Sequence, residues 1–176
     1  MAAMLSAEDI RRAFDALSSE LATEREPAEI LVAGGAALVL LFDARETTKD
    51  VDAYFVKPDA STVRNAAGRV AENLGLPNDW LNDSAKGYFE GLTRGDVLHE
   101  SPSLIVRSVS IPQLLAMKLA AWRDAIDRSD AGLLLRALPG TQSEVWQCIE
   151  PHIPPQHRDK ASYAFEDLWE TTHDSR

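Results

Sequence analysis

Apolar residues recur at helical spacing through residues 6–24, where Ile10, Phe14, Leu17 and Leu21 form one stripe behind the capping pair Ser6 and Asp9. Glu29 to Ala33 is a short apolar run before Gly34-Gly35, the pattern of a buried strand, and Ala36 to Phe42 then has a helix-forming composition. A polar loop, Asp43 to Lys49, leads to Asp50 to Val56, which alternates and is rich in Val, Tyr and Phe, as a second strand requires. Asp59 caps a helix running to about Leu74, stopped by Gly75 and Pro77. Residues 76–103 have no clear period. Ser103 to Val109 reads as a strand, and Ser110-Ile-Pro-Gln113 as a capping box opening a helix through Trp122. Asp127 or Ser129 starts the next helix, which ends near Leu138-Pro139-Gly140, and residues 142–150 and 156–172 form two more, separated by prolines.

The predicted order is α-β-α-β-α-irregular-β-α-α-α-α. This is an α/β or α+β chain: a small mixed sheet with helices packed on it, then a helical C-terminal half. Residues 1–110 are expected to form the α/β core and residues 111–176 a helical region packed as one unit with it.

Composition narrows the class. No apolar run reaches the roughly 18 residues that span a bilayer, and the N-terminus lacks the basic-then-apolar pattern of a signal peptide. The single cysteine, Cys148, excludes an internal disulfide and predicts a reducing, cytoplasmic setting; no Cys/His pattern surrounds it, and it reads as a small inert hydrophobe. Acidic residues outnumber basic ones 28 to 18, a formal charge of -10. Broad DNA binding, which rests on neutralising phosphates with a basic face, is not expected; a basic protein partner suits such a chain better.

Candidate chemistry concentrates between Leu31 and Phe55. Side chains on a strand alternate faces, so Asp50 and Asp52 project together while Val51, Ala53 and Phe55 project the other way. Two adjacent carboxylates repel one another, and a divalent cation relieves that repulsion by oxygen ligation. Mg²⁺ (or Mn²⁺) takes one or two carboxylates plus substrate phosphates, which this pair suits. Gly34-Gly35, where a strand turns into a helix, lets a phosphate approach backbone N–H groups. Arg45 and Lys49, in the loop leading to the acids, are candidates for phosphate or acceptor contact. A lone Asp-x-Asp or a lone Gly-Gly is a weak signal. Their ordered combination, with the acids about fifteen residues after the glycines on a β-patterned run, is more specific.

That combination resembles the nucleotidyltransferase superfamily to which DNA polymerase β belongs. It looks most like the small bacterial branch that includes the nucleotidyltransferase toxins of type IV toxin–antitoxin systems and related uncharacterised proteins. Thr48-Lys49-Asp50-Val51-Asp52 fits the branch's T-x-D-x-D form, Leu114 to Ala121 its helix with a central lysine, and Arg128-Ser129-Asp130 its last acidic motif. The likeness covers about residues 28–138. It implies that Asp50 and Asp52 hold metal, that Gly34 and Gly35 shape the phosphate site, that Lys118 sets a positive charge near phosphate and that Asp130 supports the site. The implied activity moves a nucleoside monophosphate from an NTP to a hydroxyl of RNA, protein or a small molecule, with an antitoxin-like protein as a further partner.

Two positions depart from that pattern. Many members carry a third carboxylate on a later strand, whereas Ser103 to Val109 has none; Glu90, Asp96 and Glu100 lie nearby in sequence. Ala36 follows the glycines where many relatives have Ser or Thr. Both favour the alternative of a nucleotide-binding or protein-interaction domain that keeps the fold without turnover. Plainer readings apply elsewhere. Lys118 can snorkel to solvent, Asp130 can cap a helix, and Asp79-Trp80-Leu81-Asn82-Asp83 reads as a buried Trp beside a capping Asn or Asp.

Overall fold

A computed structural model describes residues 4–43 and 45–173. Among them, helices β-sheet and turns define the α+β class, with seven α-helices and a mixed five-stranded sheet. The chain divides into two compact units, Met1–Lys86 with Arg94–Val109, and Gly87–Thr93 with Ser110–Arg176. No helix is long and apolar enough to cross a membrane among the described residues.

The first unit is built on β2 (Ala28–Val32), β4 (Val51–Lys57), β5 (Leu81–Asn82), β6 (Val97–Ser101) and β7 (Leu104–Ser108), in the spatial order β5-β4-β2-β7-β6. β2 lies antiparallel to β4 and parallel to β7, β5 is parallel to β4, and β6 is antiparallel to β7. Strand alternation is plain on β4: Val51, Ala53 and Phe55 are buried, while Asp52 and Tyr54 are half-buried. Helices α1 (Ala7–Glu20) and α3 (Ala60–Leu74) pack on each other and on the sheet. Their apolar stripes are buried at Ile10, Phe14 and Leu17 and at Val63, Val70 and Ala71. Ser6 and Asp9 make the expected reciprocal cap of α1, and α3 runs from its Asp59 cap to a left-handed Gly75 with φ 67°. Trp80 is fully buried and donates its indole N–H to Ala67 O at 3.0 Å, the satisfied core tryptophan the sequence suggested.

Several boundaries differ from the sequence reading. The polar loop contains a two-residue strand, β3 (Thr47–Thr48), paired antiparallel with β1 (Leu5–Ser6); Ala44, in the same loop, lies outside the described residues. Helix α2 (Gly34–Leu41) begins at the glycines rather than after them. The irregular stretch holds β5, a 3₁₀ turn over Ser84–Tyr88, and β6, whose half-exposed Val-Leu-His-Glu-Ser sequence has no apolar alternation to betray it.

The second unit is helical: α4 (Ile111–Ala121), α5 (Ala125–Arg136), α6 (Gln142–Ile149) and α7 (Arg158–His173), with 3₁₀ turns at Glu150–His152 and Pro155–His157. Ser110 caps α4, but the capping box is only half made. The Gln113 side chain turns instead to Thr93, whose hydroxyl lies 2.6 Å from Oε1, and to Gly91 O at 2.9 Å. Trp122 closes α4 with φ 36°, a left-handed position usually given to glycine. Helix α5 is capped by Asp124, which accepts from the N–H groups of Ile126 and Asp127, so the expected starts at Asp127 or Ser129 are corrected to one turn earlier. Cys148 is exposed on α6, not packed as a small hydrophobe.

Candidate active site

The turn between β2 and α2 brings Gly34, Gly35, Arg45 and Asp52 of the sequence-predicted residues together. Gly34 has φ 61°, a conformation that L side chains rarely adopt, and a Cβ there would stand 2.9 Å from Asp52 Oδ2. Asp52 reaches this point because Ala33 N–H donates to Asp52 O at 2.8 Å, extending the β2–β4 ladder to the edge of the turn. On the other side, a Cβ on Gly35 would meet Arg45 Nη2 at 2.6 Å and Thr48 Oγ1 at 2.7 Å. The glycine pair is therefore flanked by a carboxylate, a guanidinium and a hydroxyl, each too close for any side chain at its position.

Each neighbour is held by its own backbone setting. The β1–β3 pair fixes Thr48, which is buried and donates its hydroxyl to Asp50 O at 3.2 Å. Arg45 Nε donates to Thr47 O at 3.2 Å, which bends the guanidinium back over the loop towards Gly35. Ala33, at the N-cap of α2, supplies no side-chain cap, so its first-turn N–H groups are not closed off by that residue. A carboxylate and a phosphate are both favoured at this positive end of a helix.

Asp52 lies on β4 and Asp50, the expected strand start, just before it, and the β5 segment reaches both. Asn82 Nδ2 lies 3.4 Å from Asp50 Oδ2, and Ser84 Oγ lies 3.5 Å from Asp52 Oδ1. Both contacts are long and weak. Asn82 and Ser84 were missed in the sequence, because only the parallel register Val51↔Leu81 and Asp52↔Asn82 brings them there. Asn82 also caps the 3₁₀ turn, accepting from Ser84 N–H at 3.0 Å. Lys49 is exposed and closes no ion pair among the described residues.

The strand that lacks an acid presents a cation instead. Leu31 pairs across with Tyr54 on β4 and with Arg107 on β7, so Arg107 shares a face with Tyr54 and Asp52. Asp96 and Glu100 are exposed. Among the described residues, no group of three or more His, Cys, Asp or Glu side chains stands together to hold a metal ion. The donor set that fits a hard divalent ion is the Asp50–Asp52 pair, which leaves remaining positions to water and phosphate oxygens.

Lys118 and Asp130 meet in the second unit. The Lys118 ammonium is buried, 2.7 Å from Asp130 Oδ2 and 3.0 Å from Asp127 Oδ1. Lys118 does not snorkel to solvent, and Asp130 lies inside α5 rather than at its cap. Asp127, read in the sequence as a helix start, also binds Arg123 through Nε at 3.0 Å and through its backbone N–H at 2.9 Å. Burial pushes the Asp127 carboxyl up, but hydrogen bonds from Arg123 and Lys118 outweigh it and hold the group well below the ordinary carboxylate range.

No protein-family model matches the chain, and no curated protein or solved structure matches it.

Proposed function

We propose that this chain is a metal-dependent nucleotidyltransferase that moves a nucleoside monophosphate from an NTP to a hydroxyl of RNA, protein or a small molecule. The observation that carries the reading is the close approach of Asp52 to Gly34 and of Arg45 and Thr48 to Gly35. Ordinary strand–helix packing needs the glycines, but it does not need a carboxylate and a guanidinium on either side of them. In this reading the N–H groups at the start of α2 and the Arg45 fork receive the polyphosphate, because a planar guanidinium matches phosphate oxygens in pairs. Thr48 supplies at this turn the hydroxyl that Ala36 lacks. Asp50 and Asp52 hold Mg²⁺ or Mn²⁺, which when bound stabilises charge on the attacking and leaving oxygens. The acceptor oxygen bonds to the α-phosphorus, the bond from that phosphorus to the α–β bridging oxygen breaks, and pyrophosphate leaves. The hydroxyl proton passes to solvent water, since Asp50 and Asp52 serve as ligands in this reading.

The resemblance extends the proposal to a toxin component restrained by an antitoxin-like protein. A second reading, a nucleotide-binding domain without turnover, is favoured by Arg107 on the strand where relatives carry an acid. Incubating the protein with each labelled NTP, Mg²⁺ or Mn²⁺ and cell lysate separates the two. Transfer of label that Asp52→Ala abolishes supports the enzyme, with relief of growth arrest by the same substitution as the cellular counterpart. Nucleotide binding without transfer or pyrophosphate release supports the second reading.

A further inference from the structure

The second unit contains a groove of about 390 Å³ between α5 and α7, a size within the range of small-molecule sites. Its lining includes Arg128, Gly132 and Arg136 from α5, Asp167 and Thr172 from α7, and Trp122 from the turn before α5. The three α5 residues are spaced one helical turn apart and share one face.

The arginines are the unexpected feature. Arg64, Arg69, Arg94, Arg123 and Arg158 all close ion pairs with carboxylates, as suits a chain with a ten-charge acid excess. Arg128 and Arg136, like Arg11, Arg12, Arg25 and Arg107, close none among the described residues; what sets them apart is that they stand on one strip of α5 and line one groove. Arg128 instead lies over Trp122, its Cζ 5.6 Å from the ring centre. That contact holds the guanidinium beside the indole, where its charge is attracted by the ring. Arg136 folds back along α5, with Nη1 3.5 Å and Nη2 3.9 Å from where a Cβ on Gly132 would stand. The Arg136 head thus lies on the helix over Gly132, in the direction of Arg128, at a distance that a methyl group at Gly132 would also allow. Trp122 adds a third sign. Its φ of 36° is strained for a bulky residue, and the strained turn holds the indole where Arg128 stacks on it.

We propose that this groove is a phosphate-binding site, taking a phosphate monoester dianion on a small molecule no larger than a mononucleotide, with Arg128 and Arg136 as its two cationic contacts. The site goes beyond the nucleotidyl-transfer reading and does not rest on it. Asp167 is the one carboxylate of the lining, and it weakens the field an anion meets. Its neutralisation therefore has an opposite effect to loss of either arginine.

Titration calorimetry of the full chain without added divalent ion, using AMP, inorganic phosphate and adenosine, tests this. AMP binds and adenosine does not. Inorganic phosphate matching AMP identifies free phosphate as the ligand, and a tighter AMP identifies a phosphorylated small molecule. Arg128→Ala with Arg136→Ala, both at exposed positions where folding is retained, weakens AMP at least about tenfold, since each charged hydrogen bond lost contributes that much. Asp167→Asn tightens it, and Asp52→Ala leaves it unchanged, which separates this groove from the Gly34–Asp52 turn. Adenosine binding as tightly as AMP, AMP binding indifferent to the double arginine substitution, or no uptake of AMP or phosphate at millimolar concentration would overturn the proposal.

Discussion

At the level of single residues, the site depends on what two glycines leave out. Gly34 must hold φ 61°, and its absent Cβ makes room for Asp52 Oδ2. Gly34→Ala therefore carries a double penalty. The left-handed backbone costs about 1–2 kcal/mol for an L residue, and the new methyl displaces the carboxylate. Gly75→Ala is the matched control, since φ there is 67° but a Cβ would meet nothing within 4 Å. Urea unfolding should show a loss of about 1–2 kcal/mol for both, while label transfer falls only for Gly34→Ala. Equal transfer by the two variants would remove the phosphate-cradle role from Gly34. Asp50, Asp52 and the glycines were legible in the sequence because alternation and a strand-to-helix turn are local patterns. Thr48 was legible only as part of the T-x-D-x-D form, and Asn82 and Ser84 not at all as site residues, because their place is set by a pairing between distant segments, Val51 with Leu81.

Among elements, the sequence was most informative where caps and periodicity agreed. Ser6 with Asp9 and Asp59 with Gly75 bound α1 and α3 as local chemistry predicts. The start of α5 was misread because Asp124, Asp127 and Ser129 are all good capping residues. What decides among them is non-local: Lys118 on α4 and Arg123 draw Asp127 inside, leaving Asp124 to cap. This buried cluster ties α4 to α5, and it makes a pH-dependent prediction. Asp127→Ala removes one of the two carboxylates on buried Lys118, Asp130 keeping the other, and should cost about 1–3 kcal/mol at pH 7. Because the native Asp127 carboxyl is held below its ordinary value of 3.8, its stabilisation is present above that value and is lost as pH falls through the native one. Urea midpoints of wild type and variant should therefore differ at pH 7, and the gap should begin to narrow only below the ordinary value of 3.8 and close as pH falls towards the native one. A gap that stays constant into acid would show that Asp127 acts by packing rather than charge.

For the whole molecule, a net charge of -10 shapes how a polyphosphate is taken up. Such a field repels a bare nucleotide and concentrates divalent cations, so in the proposed reading a cation on Asp50 and Asp52, with Arg45, would have to offset the general electrostatics of the chain. Nucleotide uptake should then depend on the metal far more than a basic protein would require. Titration calorimetry with a non-hydrolysable analogue of each NTP, with and without Mn²⁺, is the most direct test of this claim. The account predicts that at least one analogue binds with Mn²⁺ present, that its affinity falls at least about tenfold without the ion, and that Asp50→Ala or Asp52→Ala abolishes the metal-dependent part. In a chain carrying Arg128→Ala and Arg136→Ala, which removes the cationic contacts of the α5–α7 groove, analogue binding that needs no metal, or uptake that survives both aspartate substitutions, would contradict it.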